Sequence, residues 1–314
     1  MATTTSITST YAGEFAGKYI AAALLSGSTI ENGGIEVKPN VKFKEVIKKV
    51  ATDSNVIKDA TCDFTDTATV TLTERILAPE EFQVNLEFCK KDFHSDWEAV
   101  QMGYSAFDSL PPAFSDFIIA HVAGLVAEKT EQNIWGGATA TAGEFDGIVT
   151  LATADSDVID VAGVSGGITA SNVITELGKV VDAIPSALYG KEDLYLYVSQ
   201  SVARDYVRAL GGYGANGLGA NGINNQGTQW WNNGGLSFDG VKLFVAQGMD
   251  DDYIVAAQKS NLYFGTGLLS DHNEVKLLDM ADLDGSQNVR VIMRFTAGVQ
   301  YGIGGDIVLY TPTA

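Results

Sequence analysis

Phe82, Val84, Leu86 and Phe88 alternate with the polar Gln83, Asn85 and Glu87, the period of a strand with one buried face. A looser alternation precedes it: Ile35, Val37, Val41 and Phe43 are interleaved with Glu36, Lys38, Lys42 and Lys44. A polar interval from Thr52 to Thr69 then leads to Val70 and Leu72. These positions predict extended strands around a long polar tip, with one apolar face and little volume behind it, so the segment packs on something outside itself. The spacing changes at Pro111-Pro112, where Phe114, Phe117, Ile118, Val122, Leu125 and Val126 form one helical stripe over about 111–134. Trp135-Gly136-Gly137 ends it. Val173, Ile174, Leu177, Val180, Val181 and Ile184 predict a second helix over about 170–184, with Thr169 or Ser171 as its N-cap. Leu194–Val198 reads as a buried strand, with Tyr195 and Tyr197 there for packing, and Val202, Tyr206, Val207 and Leu210 mark a short helix opened by Ser199. Strands follow at 241–246, 253–257, 261–264, 274–278 and 306–310. The longest alternation is Val289, Val291, Met293, Phe295, Ala297, Val299, Tyr301, seven positions expected to point inward. Helices and strands are segregated, which predicts an α+β fold.

Residues 1–34 carry Thr, Ser, Ala and Gly and no core of their own, so they read as an arm. The net charge of −19 excludes a surface that grips nucleic-acid phosphates. The longest apolar runs are far shorter than the roughly 20 residues that span a bilayer, and the N-terminus has no secretory pattern. Cys62 and Cys89 make neither a disulfide framework nor a zinc site, and a reducing cytoplasm is the expected place of folding.

Two motifs suggest chemistry. Gly217-Leu218-Gly219-Ala220-Asn221-Gly222 spells GxGxxG, but a phosphate cradle needs a strand before it and a helix after it, and here a helix ending at Leu210 precedes it. Gly163-Val164-Ser165-Gly166-Gly167 spells GxSxG after a strand-like VIDVAG, which admits a serine hydrolase using Ser165 with His272 as base. An elbow, however, starts its helix at the serine, and here Gly166 to Thr169 intervene. The Asp250–Asp252 run, Asp282-Leu283-Asp284-Gly285, His94 and His121 read as solvated turns and ordinary surface or core residues, so no metal or cofactor is expected.

The order of the pieces is more informative than either motif. An arm, a two-stranded excursion, a long helix ending in Trp135-Gly136-Gly137, the step Phe145-Asp146-Gly147-Ile148, and later Phe238-Asp239-Gly240-Val241 before a long last strand together resemble the major capsid proteins of tailed bacteriophages. Their fold is the Hong Kong Ninety-Seven type. The resemblance covers nearly the whole chain through layout and short degenerate motifs. It implies an N-arm at 1–34, an E-loop at 35–92, a P-domain at 93–145 and an A-domain at 146–270, with C-terminal strands at 271–314 shared by the last two. It also implies a non-enzymatic shell protein that assembles into hexamers and pentamers around double-stranded DNA, found in the virion after assembly in a host bacterial cytoplasm. A separate scaffolding protein, a portal and decoration proteins would be partners. The stretch Gly211–Gly235, with nine glycines, six asparagines and Trp230-Trp231, would be the loop at the capsomer centre, where Gly217, Gly219 and Gly222 let the backbone adapt. Lys48, Lys49 and Lys58 lie near the E-loop tip. The glutamate that assists isopeptide cross-linking in some members is replaced here by Arg294, so no self-catalysed cross-link is expected. An encapsulin-like nanocompartment shell has the same fold and is the alternative; a β-rich adhesive protein is a weaker one, lacking a signal peptide.

Overall fold

A computed structural model describes residues 28–52, 57, 59, 62, 68–89, 112–211, 236–267, 276–280 and 285–313. The fold is α+β, and the chain divides into two compact units. One comprises residues 1–26, 81–128 and 268–296; the other comprises 27–80, 129–267 and 297–314.

The larger unit is built on a six-stranded mixed sheet. Its strands are β5 (Ile159–Ser165), β6 (Leu194–Val198), β7 (Ser237–Phe238), β8 (Val241–Val245), β9 (Ile254–Gln258) and β13 (Val308–Thr313), in the order β5-β13-β9-β6-β8-β7. β6 and β9 read as continuous apolar runs because both lie inside the sheet, and every β9 residue is buried. Two helices, Val173–Asp182 and Gln200–Gly211, cover one face. Val173, Leu177, Val180 and Val181 of the first and Val202, Ala203 and Tyr206 of the second pack on Leu194, Leu196, Ile254, Ala256, Val308 and Tyr310. The first helix starts three residues later than the apolar spacing predicts. Its N-cap is Asn172, whose side chain caps nothing within the helix: Oδ1 accepts the Thr169 amide at 2.7 Å and Nδ2 donates to the Gly167 carbonyl at 3.1 Å. On the opposite face Tyr197 is fully buried against the Trp135 ring at 5.1 Å, and its hydroxyl donates to the Gly34 carbonyl. Phe238-Asp239-Gly240-Val241 is the hairpin joining β7 to β8. Asp239 and Gly240 both have positive φ, the turn that two-residue hairpin loops favour.

The long helix is Pro112–Gly136, one residue later at its start and two at its end than the stripe predicts. Its C-terminus is closed by the Phe145–Ile148 step. The Gly137 amide donates to the Asn133 carbonyl, and the Gly147 amide donates to the Gly137 carbonyl at 2.9 Å. A Cβ on Gly147 would fall 2.5 Å from the Trp135 carbonyl oxygen and 2.6 Å from that of Asn133. This glycine is required by close approach, its φ of −77° being open to any residue. Ile148 then opens the helix Ile148–Thr153.

In the smaller unit, β4 (Glu80–Cys89) and β11 (Lys276–Asp279) both pair with β12 (Asn288–Tyr301), whose last residues belong to the larger unit. Six of the seven positions expected to face inward on β12 are buried; Phe295 is half-exposed and meets the Phe82 ring at 5.7 Å. The regular 82–88 alternation therefore lines a sheet in this unit. The excursion is made instead by β2 (Glu45–Thr52) and β3 (Val70–Leu77), paired only with each other among the described residues. The prediction missed β2 because Lys48-Lys49 interrupts its alternation. The earlier run survives only as β1 (Glu36–Lys38), parallel to β10 (Leu262–Gly265) in the larger unit.

Candidate assembly surface

The β2–β3 ribbon puts Val46 opposite Ile76, Lys48 opposite Glu74 and Val50 opposite Leu72, with Val70 opposite Thr52. These even-numbered residues share one face of the pleat. Val50 is 66 % exposed, Leu72 65 % and Val70 65 %, and Val46 and Ile76 are nearly half exposed. Outside the pairing, Phe43 and Ile57 are exposed further still. A two-stranded ribbon is marginal in water, so an apolar stripe of this size on it marks a surface awaiting a partner.

The other face anchors the root. Leu77 is fully buried over Gly265, where a Cβ would come within 2.9 Å of its Cδ2. Arg75 forms an ion pair with Asp155 and lies over the Tyr301 ring, 4.5 Å from its centroid; the Tyr301 hydroxyl donates to Asp155 at 2.8 Å. Burial pulls the Asp155 carboxyl upward, but the Asp157 amide, the Tyr301 hydroxyl and the Arg75 guanidinium outweigh it and hold the group below its usual value. Lys38 pairs with Glu45 at 2.6 Å at the entry to the ribbon.

This clasp gives a pH-dependent prediction. With its folded value lowered, Asp155 contributes stability that is present above the unfolded carboxylate value near 4 and lost as pH falls through the folded value. Asp155→Asn leaves Arg75 uncompensated in a mostly buried place and is expected to cost about 1–3 kcal/mol at neutral pH. Thermal unfolding of both proteins from pH 7 to 3 should show the gap closing below about pH 4; a gap that stays constant would contradict the assignment.

The lead-in and first strand of the ribbon differ in charge from the rest of the chain. Residues 36–52 carry five lysines against two glutamates, in a chain of net charge −19. Lys48 is exposed on the outer face and Lys49 half-buried on the other. Lys58, Gly217, Gly219, Gly222, Trp230 and Trp231 lie outside the described residues, as do His94 and His272.

Ser165 ends β5 on the surface and is followed by Gly166 and Gly167, both at positive φ; the next helix begins only at Val173. That is a glycine turn and not a nucleophile elbow, whose helix follows the serine directly. Arg294 lines an open groove of about 470 Å³ with Glu81, Phe82, Gln83, Phe295 and Thr296. Among the described residues no three His, Cys, Asp or Glu side chains come together as a metal site, and no helix is long and apolar enough to cross a membrane. Sequence reasoning placed Tyr301 inward but missed Arg75 and Asp155 and the link among the three, since no local spacing relates residues so far apart. The outer stripe was legible in the shared parity of Val46, Val50, Val70, Leu72 and Ile76.

No protein-family model matches the chain, and no curated protein sequence does. Solved structures do match it. The capsid of an empty GTA particle superposes with a TM-score of 0.63 at 13 % identity, over 95 % of this chain and 94 % of that one. The capsid of Myoviridae phage XM1 gives 0.59 at 12 % identity, over 94 % and 95 %, and a structure from Mycobacterium phage Adephagia gives 0.58 at 17 %, over 94 % and 92 %. The likeness extends over nearly the full length of each chain, so it concerns the whole order of elements and not one shared sheet. The chain has the capsid fold of tailed phages and GTA particles.

Proposed function

We propose that this chain is the major capsid protein of a tailed phage, a structural subunit that closes with copies of itself into an icosahedral shell around double-stranded DNA. The observation that carries the reading is the exposed apolar face of the β2–β3 ribbon, on a subunit whose fold is that of capsids from end to end. A second copy is the partner that fits best. Residues 36–52, the lead-in and first strand of the ribbon, are locally cationic on a strongly acidic chain, so that stretch is complementary to the acidic surface of a neighbouring copy, and each buried Val, Leu or Ile adds about 1.5–3 kcal/mol. Many identical weak contacts then close a symmetric shell. In this reading the ribbon is the E-loop, and residues 211–235 line the capsomer centre. The acidic surface leaves packaged DNA without a grip, a scaffolding protein, portal and decoration proteins would be further partners, and the subunit performs no enzymatic step.

Negative-stain microscopy of the purified chain tests this directly. Rings of five and six subunits or closed shells are expected. A discrete monomer persisting at high concentration would count decisively against it.

A further inference from the structure

Among the described residues the most deeply buried carboxylate is Glu131, 1 % exposed in the last turns of the long helix and unused by the shell reading. Its carboxylate is held by the start of the described chain. The Thr29 amide donates to Oε2 at 3.0 Å, the Thr29 hydroxyl donates to Oε1, and the Ser28 hydroxyl approaches Oε1 at 3.5 Å. The Trp135 indole N–H donates to Thr29 Oγ1 at 2.9 Å, and the Gly248 amide also serves the carboxylate. Thr29 and Trp135 are fully buried. Among the described residues every partner is a neutral donor and none is a cation.

Such a site holds a carboxyl in either state. Ionised, it accepts all these donors but carries an unpaired charge out of water. Protonated, its own O–H can turn to Thr29 Oγ1, which then accepts from both Glu131 and Trp135; the Thr29 hydroxyl gives up its bond to the carboxyl, and no charge is left out of water. Burial is the dominant influence and raises the group's value; the bonds from Thr29, Trp135 and Gly248 act against it. The surrounding elements carry Glu31 on the segment, Glu128 and Lys129 on the helix, Asp250 on the loop and Lys259 beside Gly33. Lys129 pairs with Glu144 at 2.6 Å, and Asp250 lies against Gly136.

The segment has a second anchor that does not titrate in the same range. Tyr197 donates to the Gly34 carbonyl, burial drives its ionisation far above neutral pH, and a Cβ on Gly34 would strike the Phe244 ring at 2.6 Å. Gly34 is thus held independently of Glu131, whereas Ser28 and Thr29 are held by Glu131 together with the Trp135 indole.

We propose that Glu131 is a proton-operated latch on residues 28–31: neutral, it holds them docked, and ionised, it lets them open about the fixed point at Gly34. The sign follows from linkage. The docked state keeps its proton to higher pH than the open state, so docking is tightest in acid and weakens as pH rises from the ordinary glutamate value to the raised one.

Hydrogen exchange of the full chain, read on a peptide covering 26–36 between pH 4.5 and 8 and corrected for intrinsic exchange, tests the latch. Protection should fall about tenfold per pH unit across the window and then level off. Glu131→Gln keeps the shape without the charge and should stay protected throughout. The parent's own pH profile needs no variant, so that readout stands even if the glutamine variant does not fold. Protection independent of pH in the parent, or the same fall in Glu131→Gln, would overturn the proposal.

Discussion

A subunit carrying Val50→Asp and Leu72→Asp is expected to fold with the parent's melting temperature and to form no shell. The two residues face each other on the outer side of the ribbon, two-thirds exposed, so the isolated subunit loses only about 1 kcal/mol to like-charge repulsion and strand preference at the ribbon, which leaves the main unfolding transition in place. At a contact between copies the balance reverses. Each substitution forfeits about 1.5–3 kcal/mol of apolar burial and adds a carboxylate whose desolvation costs several kcal/mol more. The ribbon recurs in every subunit, so a contact that fails once fails throughout the shell. Sedimentation velocity and microscopy should show small species only, beside an unchanged circular dichroism spectrum. Parent-like particles would mean that the stripe is not an assembly contact. Lys48→Ala is the internal comparison, since an exposed charge contributes little and its loss should leave assembly nearly intact.

The second large effect lies far from that surface. Gly147→Ala should destabilise the larger unit by about 3 kcal/mol or more, beyond ordinary overpacking, because the new methyl meets backbone. Its Cβ would stand 2.5 Å from one carbonyl oxygen and 2.6 Å from another, both at the end of the long helix. Relief would have to come from breaking the Gly147 to Gly137 hydrogen bond, which closes that helix onto the next. Gly143, at positive φ with open space around it, separates the two roles a glycine can have: Gly143→Ala should cost far less, through backbone strain alone. Denaturant unfolding of both variants gives the comparison. Equal losses would refute close approach as the reason for the glycine.

That glycine also shows what could be seen in the sequence. The step Phe145-Asp146-Gly147-Ile148 was recognisable as a motif, but its cause was not, since the atoms that forbid a side chain belong to residues ten or more positions earlier. Leu194–Val198 and the 288–301 alternation were legible because the strands they form are buried with regular parity. Elsewhere parity misled. The clean run at 82–88 suggested the excursion and instead lines a sheet of the smaller unit. The polar tip from Thr52 to Thr69 and the strand entered at Val70 were read correctly, and only the first strand of the ribbon was passed over, where Lys48-Lys49 follows Val46 and Ile47. Ser165 looked like a nucleophile because three letters matched, and two consecutive left-handed glycines account for the match. Glu131 gave no signal at all: a glutamate in a helix is unremarkable until a threonine some hundred residues earlier is found beside it.

The two lysines that broke the pattern bear on how the subunit survives before assembly. An eight-residue strand paired, among the described residues, on one side only, with valines at 46 and 50, is a ready template for edge-to-edge fibre growth. Lys48 and Lys49 place adjacent positive charges at its middle, so stacking one ribbon on an identical one would align like charges, whereas meeting the acidic remainder of another copy would not. If the chain assembles as proposed, the same dipeptide that blurs the strand in the sequence would act as a gatekeeper, keeping concentrated, unassembled subunits in solution long enough to find the closed arrangement.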